Sequence, residues 1–233
     1  MQRRQFNVIF LAPVASLLIP GPVACALEWA DVTNVDATKS LRLMLEKGAQ
    51  AAVALLGTTD GFLGNDKVRI PLPSYLQDAS SLLRTLGMGG QIDELVTAMN
   101  RGAEAAVPLA RDLLTRTVRN MTVSDAKAIL GGGDTAVSQF FEQKTRAELG
   151  TKFLPIVTKA TSKLGLATQY NQLAGRAADF GLVKPEDANL EKHVTAKALD
   201  GLYLMISEEE KKIRQNPVAY GSALLNKVLG ALQ

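Results

Sequence analysis

An amide, a guanidinium and a carboxylate stand within one turn of a helical pattern at Asn100, Arg101 and Glu104. Asn100 and Glu104 are spaced i,i+4 and Arg101 and Glu104 i,i+3, so all three share one helix face. Gly102, Ala103 and Ala106 beside them leave room for another element to approach. Such a group can line a binding pocket, or it can lock packed elements together through a buried polar network. The lock is favoured, because a buried charge without a partner is costly. A second set of oxygen donors, Asp60, Asn65 and Asp66, lies in the segment "GTTDGFLGNDKVRIPLP", residues 57–73. These are candidate ion ligands by type. Their spacing misses the D-x-[DN]-x-[DN]-G calcium loop, however, and no glutamate stands at its twelfth position, which excludes an EF-hand.

Other chemistries are narrowed by residue count. The chain has one histidine, His193, and one cysteine, Cys25. A Cys/His zinc site and an H-E-x-x-H metalloprotease therefore have no ligand set. A serine triad would have to use His193, which sits between Leu190 and Val194 in a helical pattern and reads as a partly buried or surface histidine. Ser124 and Lys127 have S-x-x-K spacing, but the companion S-D-N and K-T-G elements are missing. Thr122 and Asp125 explain the same stretch as a capped helix start. In "GGGDTA", residues 131–136, glycines precede a helix start as they do in anion sites, but Asp134 brings its own carboxylate to those amides. No catalytic residue, metal or cofactor is assigned.

The N-terminus and composition bound the setting. Arg3 and Arg4, an apolar run from Phe6 to Ile19 and the small residues Ala24 and Ala26 form a secretory signal peptide. The run is about 14 residues, shorter than the roughly 20 of a membrane-spanning helix, and prolines break it, so no transmembrane anchor is expected after signal removal. Cleavage after Ala26 would start the mature chain at Leu27. Lipid attachment at Cys25 is the minority option, and the paired arginines also admit twin-arginine export. With the leader gone, the 26 basic residues of the whole chain fall to 24 against 23 acidic. That near-neutral balance, with no basic and aromatic block, argues against nucleic acid.

These candidate groups must be positioned by helices. Leu41, Leu45, Ala52 and Leu55 or Leu56 recur at helical spacing from Thr38, with Asp36 or Thr38 as cap and Gly57 as stop. Ser74 is expected to cap a second helix carrying Leu76, Ala79, Leu82, Leu83 and Leu86, stopped by the glycines of "GMGG". A long third helix over about 91–120 should kink one turn before Pro108. Helices are also expected from Thr122, from Asp134 with a restart after Gly150 and a bend at Pro155, over about 167–179, over about 189–214, and after Pro217. The charged run "SEEEKKIRQNP" reads as an exposed helix face. The expected fold is an all-α, single-domain bundle of about eight helices, residues 27–233 following the 1–26 signal peptide. Within 57–73, Val68, Ile70 and Leu72 alternate with Lys67, Arg69 and Pro71. That alternation makes one apolar edge of an extended strap, pinned by Phe62 and Leu63.

Five stretches together, "GTTDGFLGNDKVRIPLP", "MNRGAEAAVPLA", "MTVSDAKAIL", "GGGDTAVSQFFEQKT" and "EEEKKIRQNPVAYGSALLNKVLG", resemble the secreted bacterial family designated domain of unknown function 4197 (DUF4197). The resemblance spans about Val35 to Gly230. It implies an exported helical Gram-negative protein, sometimes a lipoprotein, with no established activity or ligand. Gly102 replaces an alanine expected in that pattern, and His193 replaces a tyrosine, which argues that position 193 is not a site shared by the family.

The functional expectation is a periplasmic or secreted binding or interaction module without catalysis, its partner a protein or an apolar small molecule. One alternative is a carrier holding a lipid or other apolar ligand between helices. The other is a carboxylate- or lysine-based enzyme with residues 58–73 as a lid.

Overall fold

The computed structural model describes residues 34–132, 135–181 and 188–216. Those residues form six continuous helical runs and contain no strand. The runs are α1 (Asn34–Leu56); α2 (Ser74–Leu83), α3 (Gly89–Ala106) and α4 (Ala110–Arg119) in one interrupted run; α5 (Val123–Leu130); α6 (Ala136–Thr161); α7 (Gly165–Asp179); and α8 (Leu190–Gln215). The all-α class holds. The helix count depends on the second run, which a π turn (Arg84–Met88) and a 3₁₀ turn (Val107–Leu109) divide into three α segments. The signal peptide, the Asp134 cap and the helix expected after Pro217 lie outside the described residues.

The two interruptions have local causes. Gly87 takes φ 84°, a left-handed value that an L side chain rarely adopts, and the chain turns there before α3 begins. Pro108 cannot donate a helical hydrogen bond, and the backbone tightens to a 3₁₀ turn around the proline itself rather than one turn before it. Neither Gly150 nor Pro155 interrupts α6.

Several helix ends differ from expectation. Helix α1 begins at Asn34, so Thr38 is a buried residue within it rather than its cap. Its C-terminal end is as expected, with the Gly57 amide donating to the Val53 carbonyl at 2.9 Å. Pro73, not Ser74, precedes α2. The Pro73 backbone is already extended, at φ −54° and ψ 146°, and its carbonyl accepts the Gln77 amide, so Ser74 becomes the first helical residue. At α5 the capping box is complete: the Asp125 amide donates to Thr122 Oγ1 at 3.1 Å, and the Thr122 amide donates back to Asp125 Oδ2 at 3.0 Å.

Helix α8 packs against α1 and α6, and α6 also packs against α3. Leu45, Leu56, Leu95, Met99, Phe141, Phe153, Leu202 and Ile206 fill the space between them. Beyond apolar packing, α6 and α8 are tied by a buried hydrogen bond of 2.9 Å between Thr145 Oγ1 and Tyr203 Oη. The Arg146 guanidinium lies 5.7 Å from the centre of the Tyr203 ring and pairs with Glu142 at 2.8 Å and with Asp200. Burial raises the Tyr203 hydroxyl pKa above its ordinary value despite the opposing effects of Thr145 and Arg146.

The charged run at the end of α8 is only in part a solvated face: Lys212 is exposed, but Glu209 and Glu210 are both buried. Gly48 of α1 lies opposite this stretch of α8. The α8 backbone at Ile206 and Glu210 lies 3.8 Å from where a Cβ on Gly48 would stand. Among the described residues no helix is long and apolar enough to cross a membrane.

Candidate functional site

Residues 57–73 leave α1 at Gly57 and run to the start of α2, laying an irregular strap over α3 and α8. The strap buries alternate side chains. Val68, Ile70 and Leu72 turn inward, Lys67, Arg69 and Pro71 outward. Phe62 is 0 % exposed, a core residue on an irregular segment. Its ring meets α8 at Gly201, where a Cβ would come within 2.9 Å of Phe62 Cε1 and 3.2 Å of Val68 Cβ. Only glycine lets the strap sit this close to the helix.

A buried extended segment needs partners for its backbone, because no neighbouring strand supplies them. The polar face of α3 provides them. Asn100 Oδ1 accepts the Ile70 amide at 2.8 Å, and Asn100 Nδ2 donates to the Ile70 carbonyl at 3.0 Å and to the Val96 carbonyl at 2.8 Å. One turn on, Glu104 Oε1 accepts the amides of Phe62 and Leu63 at 3.0 and 3.1 Å. Its Oε2 accepts from Arg101 Nη1 at 2.7 Å, and Arg101 Nη2 reaches Asp60 Oδ1 at 2.8 Å. Hydrogen bonds to Glu104 and then to Asp60 raise the Arg101 pKa above its ordinary value. Asn100, Arg101 and Glu104 thus converge, but on the strap's backbone and Asp60 rather than on an open cavity.

The strap's turn is built for this arrangement. Asp60 takes φ 66°, which aspartate tolerates better than most residues. Gly61 follows where a Cβ would lie 2.5 Å from the Leu56 carbonyl oxygen, and Gly64 where one would lie 2.9 Å from Asp60 Cβ. From the strap's outer side, Lys67 pairs with Glu208 of α8 at 2.6 Å.

Asp60, Asn65 and Asp66 line one open depression on the strap, but their oxygens do not act as a set. Asp60 faces Arg101, Asn65 Oδ1 accepts the Lys67 amide at 3.2 Å in a local turn, and Asp66 is exposed. Among the described residues no group of three or more His, Cys, Asp or Glu side chains is placed to hold a metal ion. Ser124 and Lys127 are both exposed on α5. His193 is buried in the first turn of α8. In the same turn Glu191 accepts from Asn171 Nδ2 at 2.8 Å and from Thr161 Oγ1 at 3.3 Å.

Sequence spacing missed the Glu191, Asn171 and Thr161 cluster, since its members come from three helices with no shared periodic signal. It also missed a groove between α4, α5 and α6, lined by Leu113, Arg116, Asn120, Met121, Asp125, Phe140 and Lys144 and enclosing about 300 Å³. Gly102 packs against α6, where a Cβ would lie 3.1 Å from that of Ala160.

The described residues therefore define an all-helical protein whose longest irregular segment is held by side chains of one helix. Residues 31–230 match the family described as "Protein of unknown function (DUF4197)", and the chain belongs to that family. No curated protein and no solved structure matches it.

Proposed function

We propose that the protein is exported to the periplasm or beyond and acts there as a binding or interaction module with no reaction of its own. One observation carries this reading: the α3 group that could have served as an active site is fully engaged in holding residues 60–70. Both oxygens of Glu104 and both heteroatoms of the Asn100 amide are hydrogen-bonded within the chain. A catalytic carboxylate needs an oxygen that can reach substrate, and a ligand-binding amide needs a donor or acceptor to offer. The lid alternative meets the further difficulty that Phe62 and Ile70 are core residues, so lifting the strap would open the interior. Export rests on the N-terminal signal pattern.

Native mass spectrometry of the protein purified from its own periplasm tests the reading. A co-purifying protein or small molecule supports it. Turnover of a co-purified compound on incubation would replace it with the enzyme alternative, and a bound lipid between the helices with the carrier.

A further inference from the structure

The groove between α4, α5 and α6 differs in kind from the strap contacts. Leu113, Met121 and Phe140 form its apolar floor, and Arg116, Asn120 and Lys144 place exposed hydrogen-bond donors at its rim. At about 300 Å³ it reaches the lower end of the size range of small-molecule sites. A second depression of about 250 Å³ continues it past Phe140 and Lys144 along α5 and α6. Resting on the binding-module reading above, we propose that this groove binds a small organic monocarboxylate, its apolar body on the Phe140 floor and its carboxylate between Arg116 and Lys144.

The charges favour this class. Arg116 stands 3.6 Å from Glu148, and Lys144 stands 3.7 Å from Asp125. Both separations exceed hydrogen-bond length, so either cation can turn to an incoming anion without giving up a direct hydrogen bond. The cations that hold the strap are different: Lys67 and Arg101 contact their carboxylates at 2.6 to 2.8 Å. Asp125, the one acid among the described residues that line the groove, has its Oδ2 occupied by the amide and hydroxyl of Thr122. Its charge and that of Glu148 oppose a dianion, whereas a single carboxylate matches the two cations and the Asn120 amide.

The test is a titration of the ¹⁵N-labelled full-length mature protein with 4-phenylbutyrate, followed by amide chemical shifts, with 4-phenylbutyramide and phenyl phosphate as comparators. Saturable shifts centred on Arg116, Asn120, Met121 and Lys144 are expected for the carboxylate. The amide should bind about tenfold or more weakly, as loss of charge-assisted hydrogen bonds requires. R116Q and K144Q, both at exposed positions, should each weaken binding by a similar factor while lowering the melting temperature little, since each loses only a long surface ion pair. Shifts centred elsewhere, no saturable shifts, equal binding of the amide, or tighter binding of the phosphate would each overturn the proposal. A partner still recovered in native mass spectrometry after such a result would leave the binding-module reading standing without this site. Chemical conversion of 4-phenylbutyrate during the titration would instead overturn both.

Discussion

Asn100 pairs with Ile70 as a neighbouring strand would, taking its amide at 2.8 Å and giving to its carbonyl at 3.0 Å from one side-chain carboxamide. A helix side chain thereby replaces the β-ladder that a buried extended residue otherwise needs. Four residues on, Glu104 does the same for the amides of Phe62 and Leu63. The strap is held at both ends by one helix face.

Removal of the Glu104 carboxylate leaves two strap amides without an acceptor. At about 1–3 kcal/mol for each unsatisfied group, Glu104→Ala should rank among the costliest single changes in the chain. Glu104→Gln retains an acceptor oxygen for the amides but replaces the oxygen that faces Arg101 with a donor, and should cost less. Urea denaturation of both variants checks the order.

Apolar strap residues should matter far more to stability than its acids. Phe62→Ala is expected to destabilise by about 3–5 kcal/mol and Ile70→Ala by about 2–5 kcal/mol. Asp60→Asn with Asp66→Asn should cost much less, since asparagine tolerates the positive φ at position 60 and Asp66 is exposed. Thermal melts with and without millimolar calcium would expose an error: a calcium shift that the double variant loses would make the strap an ion site.

Two helical glycines should respond in opposite directions to the same change. Gly175 has no neighbouring atom within 4 Å of an added Cβ, so Gly175→Ala should stabilise by up to about 1 kcal/mol through helix propensity. Gly201→Ala would drive a methyl into the Phe62 ring edge and Val68, and should destabilise despite the same gain in propensity. Paired denaturation curves give the sign of each.

Acid should weaken the α5 cap. The Thr122 amide, its hydroxyl and Lys144 hold the Asp125 carboxyl below its ordinary pKa. A group depressed in the folded state contributes stability that is present above the unfolded value, about 3.9, and is lost as pH falls through the folded one. The stability difference between wild type and Asp125→Asn should therefore shrink on acidification from about pH 5 to about pH 2. Denaturation across that range measures it, and a difference that widened toward acid would reverse the sign.

What the sequence made legible and what it hid follow from the range of the interactions. The strap's buried edge was readable because one-sided burial of an extended chain leaves a period of two, visible in Val68, Ile70 and Leu72. The shared face of Asn100 and Glu104 was readable because helical spacing fixes it. What lies opposite that face was not, since Ile70 and Phe62 are 30 and 42 residues away in the chain. Glu209 and Glu210 misled because a run of charges ordinarily faces water. Their burial comes from the packing of α8 against α1, a contact between segments far apart in the chain. Ser74 misled because Pro73, already extended, takes the position that a capping serine would have held.

Native-state hydrogen exchange at Phe62, Leu63 and Ile70 tests the central claim, that α3 holds the strap as part of the core. If the Asn100 and Glu104 hydrogen bonds fix the strap, these three amides should exchange only through global unfolding, with protection equal to that of the α3 core amides and a matching dependence on denaturant. Exchange of the three amides by a local opening, well before α3, would show a strap that lifts on its own and would contradict the account.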